Sequence, residues 1–355
     1  MSSASAEASP AAQPVQPVLE AEELVKTFRT GSALRPDRVR AVDGVSLSLR
    51  PGEVLGVVGE SGCGKSTTAR MLVGLDAPDG GRLLYRGEDV TRLRVRDRRL
   101  LRRGVQMIFQ DPYSSLDPRM SVGDLVSEPL AANRRGDRRS RRQRAGELLE
   151  LVGLDGSAMT RYAHQFSGGQ RQRIGVARAL ALEPDVLVCD EPVSALDVSV
   201  QAQVVNLIDD LRRQLGVAVV FIAHDLSVVE HVADEVAVMY LGRVVEQGPS
   251  ASVFSAPTHP YTRALLSATP SVEVADRGRL GRRRLLKGEP PSPLDPPSGC
   301  TFHPRCWLAD DRCVAEVPSL RPPGVAGLPL APTGSRAACH HAERLLAEEA
   351  APVTA

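Results

Sequence analysis

Eight consecutive residues, Gly59-Glu60-Ser61-Gly62-Cys63-Gly64-Lys65-Ser66, constrain this chain more than any other stretch, because they fit the pattern G-x-x-x-x-G-K-S/T. A short apolar run, residues 53–58, precedes them, and a helical pattern over 66–75 follows. Such a strand–loop–helix unit lets backbone N–H groups curl around a phosphate, and the helix N-terminus adds partial positive charge. Lys65 can reach the β- and γ-phosphates, and the Ser66 hydroxyl can ligate Mg²⁺. Only three of the 44 basic residues are lysines: Lys26, Lys65 and Lys287. A lysine kept in a chain that otherwise writes arginine points to a site that needs a point charge on a slender stem, not a planar fork.

The second half of such a site is an acidic strand end. Val186-Leu187-Val188-Cys189-Asp190-Glu191 supplies it. Asp190 would hold Mg²⁺ through water, and Glu191 would orient and deprotonate the attacking water. Together the two pieces predict a P-loop NTPase. A GTPase would need an Asn-Lys-x-Asp motif, and none of the three lysines follows an asparagine.

Residues 18–55 read as strands, with apolar and polar residues alternating along Val45-Ser46-Leu47-Ser48-Leu49. Helical patterns cover 140–152 and 170–182, and an amphipathic one covers 200–214. The apolar runs 186–189 and 217–223 read as buried strands. Strands alternating with helices imply a mainly parallel sheet covered on both faces. Residues 110–118, rich in Pro, Asp and Ser, read as turns.

No apolar stretch approaches the ~20 residues that span a bilayer. Residues 1–17 lack the apolar core of a secretory signal and are expected to be a disordered tail. Cytoplasmic residence follows, where structural disulfides are not expected. The 44 basic and 43 acidic residues cancel to +1, which gives no general pull toward nucleic acid. The arginine run at 134–142 has no interleaved aromatic and reads as a solvated face.

After about residue 268 the composition changes. Pro290-Pro291-Ser292-Pro293-Leu294-Asp295-Pro296-Pro297 can be neither helix nor central strand. Four of the six cysteines follow: Cys300, Cys306, Cys313 and Cys339. Clustered thiols in a cytoplasmic chain point to metal ligation. Cys63 and Cys189 are solitary and read as packing residues; Cys63 lies in the phosphate motif, so thiol modification there is expected to block nucleotide.

Phe166-Ser167-Gly168-Gly169-Gln170, followed by Arg171-Gln172-Arg173, resembles the signature motif of ABC-transporter ATPases, with phenylalanine where leucine is usual. Other family elements appear in order. Gln110 resembles the Q-loop glutamine, Ser194-Ala195-Leu196-Asp197 the D-loop, His224 the switch histidine and Phe28 the aromatic that stacks on adenine. The resemblance covers residues 18–268. It implies an α/β fold, a RecA-like P-loop NTPase core with a helical subdomain at about 111–182, and ATP with Mg²⁺ as ligands. Phe28, Gly59, Glu60, Ser61, Gly62, Cys63, Gly64, Lys65, Ser66 and Thr67 would contact the nucleotide. Ser66, Gln110 and Asp190 would serve Mg²⁺, and Glu191 and His224 the γ-phosphate. Ser167, Gly168, Gly169 and Gln170 would close over ATP held by a partner in a head-to-tail pair, with Asp197 tying the two sites together.

Three local stretches narrow the resemblance: Phe109-Gln110-Asp111-Pro112-Tyr113-Ser114-Ser115-Leu116-Asp117-Pro118-Arg119-Met120, the run from Glu191 to Ser199, and Pro257-Thr258-His259-Pro260-Tyr261-Thr262. They are similar to oligopeptide/dipeptide permease ATPases, the second of the two paired ATPases more than the first. The resemblance implies peptide import at the cytoplasmic face of the cell membrane. It implies two transmembrane permease subunits, a second and distinct ABC ATPase, an extracytoplasmic substrate-binding protein and no nucleic acid. Nickel, glutathione and oligosaccharides use similar machinery. A soluble ABC ATPase working on nucleic acid or ribosomes is the other class; residues 66–167 leave no room for its long insertions, and one cassette is present where translation-associated members carry two. For the cysteines the resemblance implies a [4Fe-4S] cluster, with Zn²⁺ the rival; spacing does not separate them. The expected organisation is a tail at 1–17, an ABC ATPase domain at 18–268, a small cysteine-containing domain at 269–345 and a tail at 346–355.

Overall fold

The computed structural model describes residues 15–32, 35–92, 99–111, 113, 115–194, 196–268, 286, 288–324 and 334–350. In chain order the strands are β1 (Leu19–Ser32), β2 (Arg35–Leu49), β3 (Val54–Val58), β4 (Gly80–Tyr85), β5 (Glu88–Asp89), β6 (Val105–Ile108), β7 (Val186–Asp190), β8 (Ala218–Ala223), β9 (Glu235–Tyr240), β10 (Arg243–Pro249) and β11 (Arg336–Ala337). The helices are α1 (Lys65–Leu72), α2 (Arg99–Gly104), α3 (Val122–Ala132), α4 (Arg138–Leu151), α5 (Gly168–Leu180), α6 (Val198–Leu215), α7 (Leu226–Val232), α8 (Ser250–Ser255), α9 (Pro260–Ala268), α10 (Asp311–Ala315) and α11 (Ala342–Ala350).

The main sheet runs β11-β10-β9-β3-β8-β7-β6. Its five central and far strands, β9-β3-β8-β7-β6, are parallel, and β10 and β11 close one edge antiparallel. Every residue of β3, β7 and β8 is buried, as their unbroken apolar runs require of strands covered on both faces. A separate antiparallel sheet, β2-β1-β4-β5, leans on this core. Along β2, Val45, Leu47 and Leu49 are buried while Ser46 and Ser48 are only partly so, which is the period of a half-exposed strand.

Helices α3, α4 and α5 pack on one another through Leu125, Val126, Leu148, Leu149, Ile174 and Ala177. The amphipathic α6 ends where Gly216 takes φ 68°, a left-handed C-cap.

The cysteine-bearing segment belongs to the same core. Strand β11 pairs with β10, Glu246 facing Ala337. Phe302 is fully buried and packs edge-to-face against Tyr240 and at a tilt against Tyr261, with centroids 5.3 and 5.4 Å away. The expected division at 268 falls beside residues 269–285, outside the described set, as does most of the expected tail at 1–17. The first residues of the expected tail at 346–355 lie in α11, and residues 351–355 lie outside the described set. Helix α11 continues to Ala350, anchored by the buried Ala342 and Leu345.

Candidate functional site

The phosphate motif sits between β3 and α1, and its shape comes from close backbone approach. Gly59 has φ 155° and Gly64 φ 106°. A Cβ on Gly59 would lie 2.2 Å from the Met239 carbonyl oxygen, and one on Gly64 2.2 Å from that of Ala41. Only glycine fits either position. Ser61, Gly62 and Ser66 are exposed and Thr67 is half-buried, so the loop opens to solvent.

Lys65 is 4% exposed. Its ammonium donates to the carbonyls of Gly59 at 2.7 Å and Glu60 at 3.1 Å, and lies 3.8 Å from Glu191 Oε1. Ser66 Oγ donates to Asp190 Oδ1 at 3.0 Å. Burial pushes the Asp190 carboxyl above the usual range, against the pull of that hydrogen bond. A buried carboxylate aimed at a serine hydroxyl is a ready site for a hard divalent cation.

Glu191 follows the last residue of β7 with φ 45°, a left-handed conformation that costs a non-glycine residue about 1–3 kcal/mol. Its backbone N–H donates to the Ile222 carbonyl on β8 at 3.0 Å, which fixes the turn. Gln110 Nε2 donates to its Oε2 at 2.8 Å, and His224 Nδ1 lies 3.6 Å from the same oxygen. Residues from four places in the sequence thus meet on one carboxylate: Lys65, Gln110, Glu191 and His224.

The signature residues form a second structure. Ser167 caps α5, its Oγ accepting from Gln170 N–H at 3.3 Å while Gln170 Oε1 accepts from Ser167 N–H at 3.0 Å. Gly168 and Gly169 press on the start of α6; a Cβ on Gly169 would reach Val200 Cγ1 at 2.4 Å. Asp197 is the exposed N-cap residue of α6. Among the described residues no hydrogen bond or ion pair links Ser167–Gln170 or Asp197 to the phosphate loop of the same chain. Phe28 stands on β1, 39% exposed, with the Lys26 ammonium 5.7 Å from its ring centroid.

Two contacts had no local signal. The Glu60 N–H donates to the Tyr261 hydroxyl at 2.8 Å, and the Glu60 carboxylate holds Arg305. Cys63 is buried beneath Gly59, and burial raises its thiol pKa, so it presents little thiolate to a reagent.

The cysteines Cys300, Cys306, Cys313 and Cys339 are all free. They lie close enough that a thiolate on one disfavours ionisation of the others: burial first, then this mutual repulsion, pushes Cys306 up to about 11 and Cys339 up to about 12. Backbone N–H groups of Leu308 and His341 already donate to the sulfurs of Cys306 and Cys339, each at 3.3 Å. Two of the four sulfurs, those of Cys306 and Cys339, thus already have backbone N–H support of the kind that steadies thiolate ligands. Asp310, Cys313 and His341 also bring ligand atoms within 4.8 Å of one another, a harder donor group at one edge.

Fold and site together define a P-loop ATPase with the two half-sites of an ATP-binding cassette. The family described as "ABC transporter" matches residues 42–194, and that described as "Oligopeptide/dipeptide transporter, C-terminal region" matches 245–313. The dipeptide transport ATP-binding protein DppF of Escherichia coli is 51% identical over 309 residues, covering 86% of this chain and 91% of that protein. The di/tripeptide transport ATP-binding protein DppF of Pseudomonas aeruginosa is 49% identical over 334 residues, covering 94% and 100%. Among solved structures, the ATP-binding cassette MJ0796, a dimer in a post-hydrolysis state with ADP and Pi, superposes with TM-score 0.59 at 28% identity, over 65% of this chain and 98% of that one. The chain belongs to the ATP-binding subunits of ABC transporters, in the branch that carries the oligopeptide/dipeptide transporter C-terminal region. No described helix is long and apolar enough to cross a membrane.

Proposed function

We propose that this chain hydrolyses ATP to drive the import of di- and oligopeptides. It would do so as one of a head-to-tail pair of distinct ATPases at the cytoplasmic face of the cell membrane. Two transmembrane permease subunits would transmit the motion, and an extracytoplasmic binding protein would choose the cargo. The observation that carries the reading is the convergence of Lys65, Gln110 and His224 on the Glu191 carboxylate beside the Ser66–Asp190 pair. The dipeptide relatives at about half identity supply the cargo class.

On this reading Lys65 exchanges the Gly59 and Glu60 carbonyls for the β- and γ-phosphate oxygens. Ser66 and Asp190 would hold Mg²⁺ and Gln110 would sense it, the ion neutralising charge on the phosphates. Phe28 stacks on adenine. Glu191 takes a proton from the attacking water as its oxygen bonds to the γ-phosphorus and the bond to the β–γ bridging oxygen breaks, giving ADP and phosphate. His224 donates to the γ-phosphate. Ser167 to Gln170, opening α5, present a helix N-terminus to nucleotide held by the partner, and Asp197 joins the two sites across the pair.

The four free thiols Cys300, Cys306, Cys313 and Cys339 would hold a [4Fe-4S] cluster, with zinc as the rival. When bound it would cross-link the segment covalently, as a disulfide does elsewhere. Iron, acid-labile sulfide and zinc analysis of the anaerobically purified chain decides between them. For transport, the complex with its permease subunits in proteoliposomes should hydrolyse ATP faster when binding protein loaded with dipeptide is present. No stimulation by dipeptide, with stimulation by nickel chelate or oligosaccharide instead, would replace the cargo.

A further inference from the structure

Glu60, the second residue of the phosphate loop, is held by chain that arrives more than 200 positions later. Its backbone N–H donates to Tyr261, 201 residues on. Its carboxylate receives both terminal nitrogens of Arg305, 245 residues on: Nη1 to Oε2 at 2.7 Å and Nη2 to Oε1 at 3.0 Å. This is the planar two-bond geometry in which arginine and carboxylate bind most specifically. The Arg305 side chain is 5% exposed and that of Glu60 24%, so salt and water screen the pair weakly. The guanidinium lies 6.0 Å from the Tyr240 ring centroid, in the aromatic cluster that Tyr261 and Phe302 complete.

Arg305 has little freedom of its own. It precedes Cys306 in a tight turn, where the N–H groups of His303, Arg305 and Cys306 donate to the carbonyls of Cys300, Phe302 and His303 at 2.9, 3.0 and 3.2 Å. The Glu60 carbonyl also accepts from Lys65. One loop residue thus accepts from Lys65 and Arg305 and donates to Tyr261. Unpaired, its carboxylate would be a free negative charge in a loop that must receive a triphosphate, and nothing would fix its direction.

We propose that Arg305 is a positioning residue of the nucleotide site: its fork neutralises and orients Glu60, and so ties ATP affinity to the fold of the cysteine-bearing turn. This rests on the reading of residues 59–66 as the ATP phosphate loop. Arg305 touches neither nucleotide nor reacting atoms, so its effect falls on binding. Once nucleotide has drawn the loop into shape, the chemical step is the same.

The test is a double-mutant cycle on the full chain in its complex. It reads the Kd for a fluorescent ATP analogue together with KM and kcat for ATP. Arg305→Met should raise Kd and KM about tenfold and leave kcat at saturating ATP unchanged. Arg305→Lys, which keeps the charge and loses the fork, should fall between. The double variant Arg305→Met/Glu60→Gln should bind ATP no worse than Arg305→Met, because the stranded carboxylate has gone. Unchanged affinity in Arg305→Met overturns the proposal, as do single effects that simply add in the double variant. If Arg305→Met does not fold, Glu60→Gln and Glu60→Gln/Arg305→Lys carry the test: equal affinity in these two supports the pair acting as a unit, and a further loss in the second overturns it. Wild-type chain that binds no analogue would sink the loop reading instead.

Discussion

The Ser66 hydroxyl donates to Asp190 Oδ1 at 3.0 Å, bridging the first turn of α1 and the end of β7 across 124 positions. The bond aligns the two oxygens on the side where a hard cation would sit between helix and strand. Asp190→Asn keeps the shape and removes the charge. Hydrolysis should fall by at least about a hundredfold, since a bound metal supplies several kcal/mol of charge stabilisation, and the Mg²⁺ dependence of the residual rate should shift to higher concentration. A phosphate-release assay across a Mg²⁺ titration reads both.

Glu191→Gln should bind ATP and fail to turn it over. The amide keeps an oxygen for the Gln110 bond and loses the basicity, so the rate should drop by roughly 10²–10⁴-fold, the usual worth of a general base. ATP should then trap the paired state, seen as a slower-sedimenting monomer fraction converting to a faster one. Turnover at the wild-type rate would remove Glu191 from the base role.

Lys65→Ala should abolish nucleotide binding in an equilibrium assay, and Lys65→Arg should not restore it. The side chain is 4% exposed and fully enclosed by the loop it bonds, so a broad planar guanidinium does not fit.

Acid should weaken the fold through His259. Burial pushes its imidazole down to about 3, and its Nδ1 accepts the Tyr261 N–H at 3.1 Å in the neutral form. The unfolded chain takes up that proton below about 6.5. Unfolding therefore binds protons in this range: the stability is fully present above about 6.5 and is lost as pH falls toward 3. Glu246, whose buried carboxyl is raised, works in the opposite sense and offsets part of the loss. Urea midpoints measured from about pH 7 to pH 5 should decline, and His259→Gln should flatten the slope. An identical slope in the variant would acquit His259.

Most of the site was legible because its signals are local. The phosphate motif, the apolar run ending in Asp190 and Glu191, and the Ser167/Gln170 cap each lie within a few residues, and a buried parallel strand shows itself as an unbroken apolar run. What stayed hidden was long-range or disguised. Arg305 is one arginine among dozens, and its partner lies 245 residues back. Strand β10 carries Glu246, fully buried because Thr258 and His259 donate to it, so its sequence reads as polar. Strand β11 is two residues long and has no pattern of its own. Pro129 inside α3 likewise masks a helix whose other face is core.

The walls behind the two constrained glycines are peptide oxygens, from Ala41 on β2 and Met239 on β9. A side-chain wall can be remodelled by a single codon change, whereas a main-chain wall keeps its place whatever residue stands there. The oxygens that shape the anion mould therefore come from the backbone of one strand from each sheet, although the Met239 side chain itself is fixed in the core.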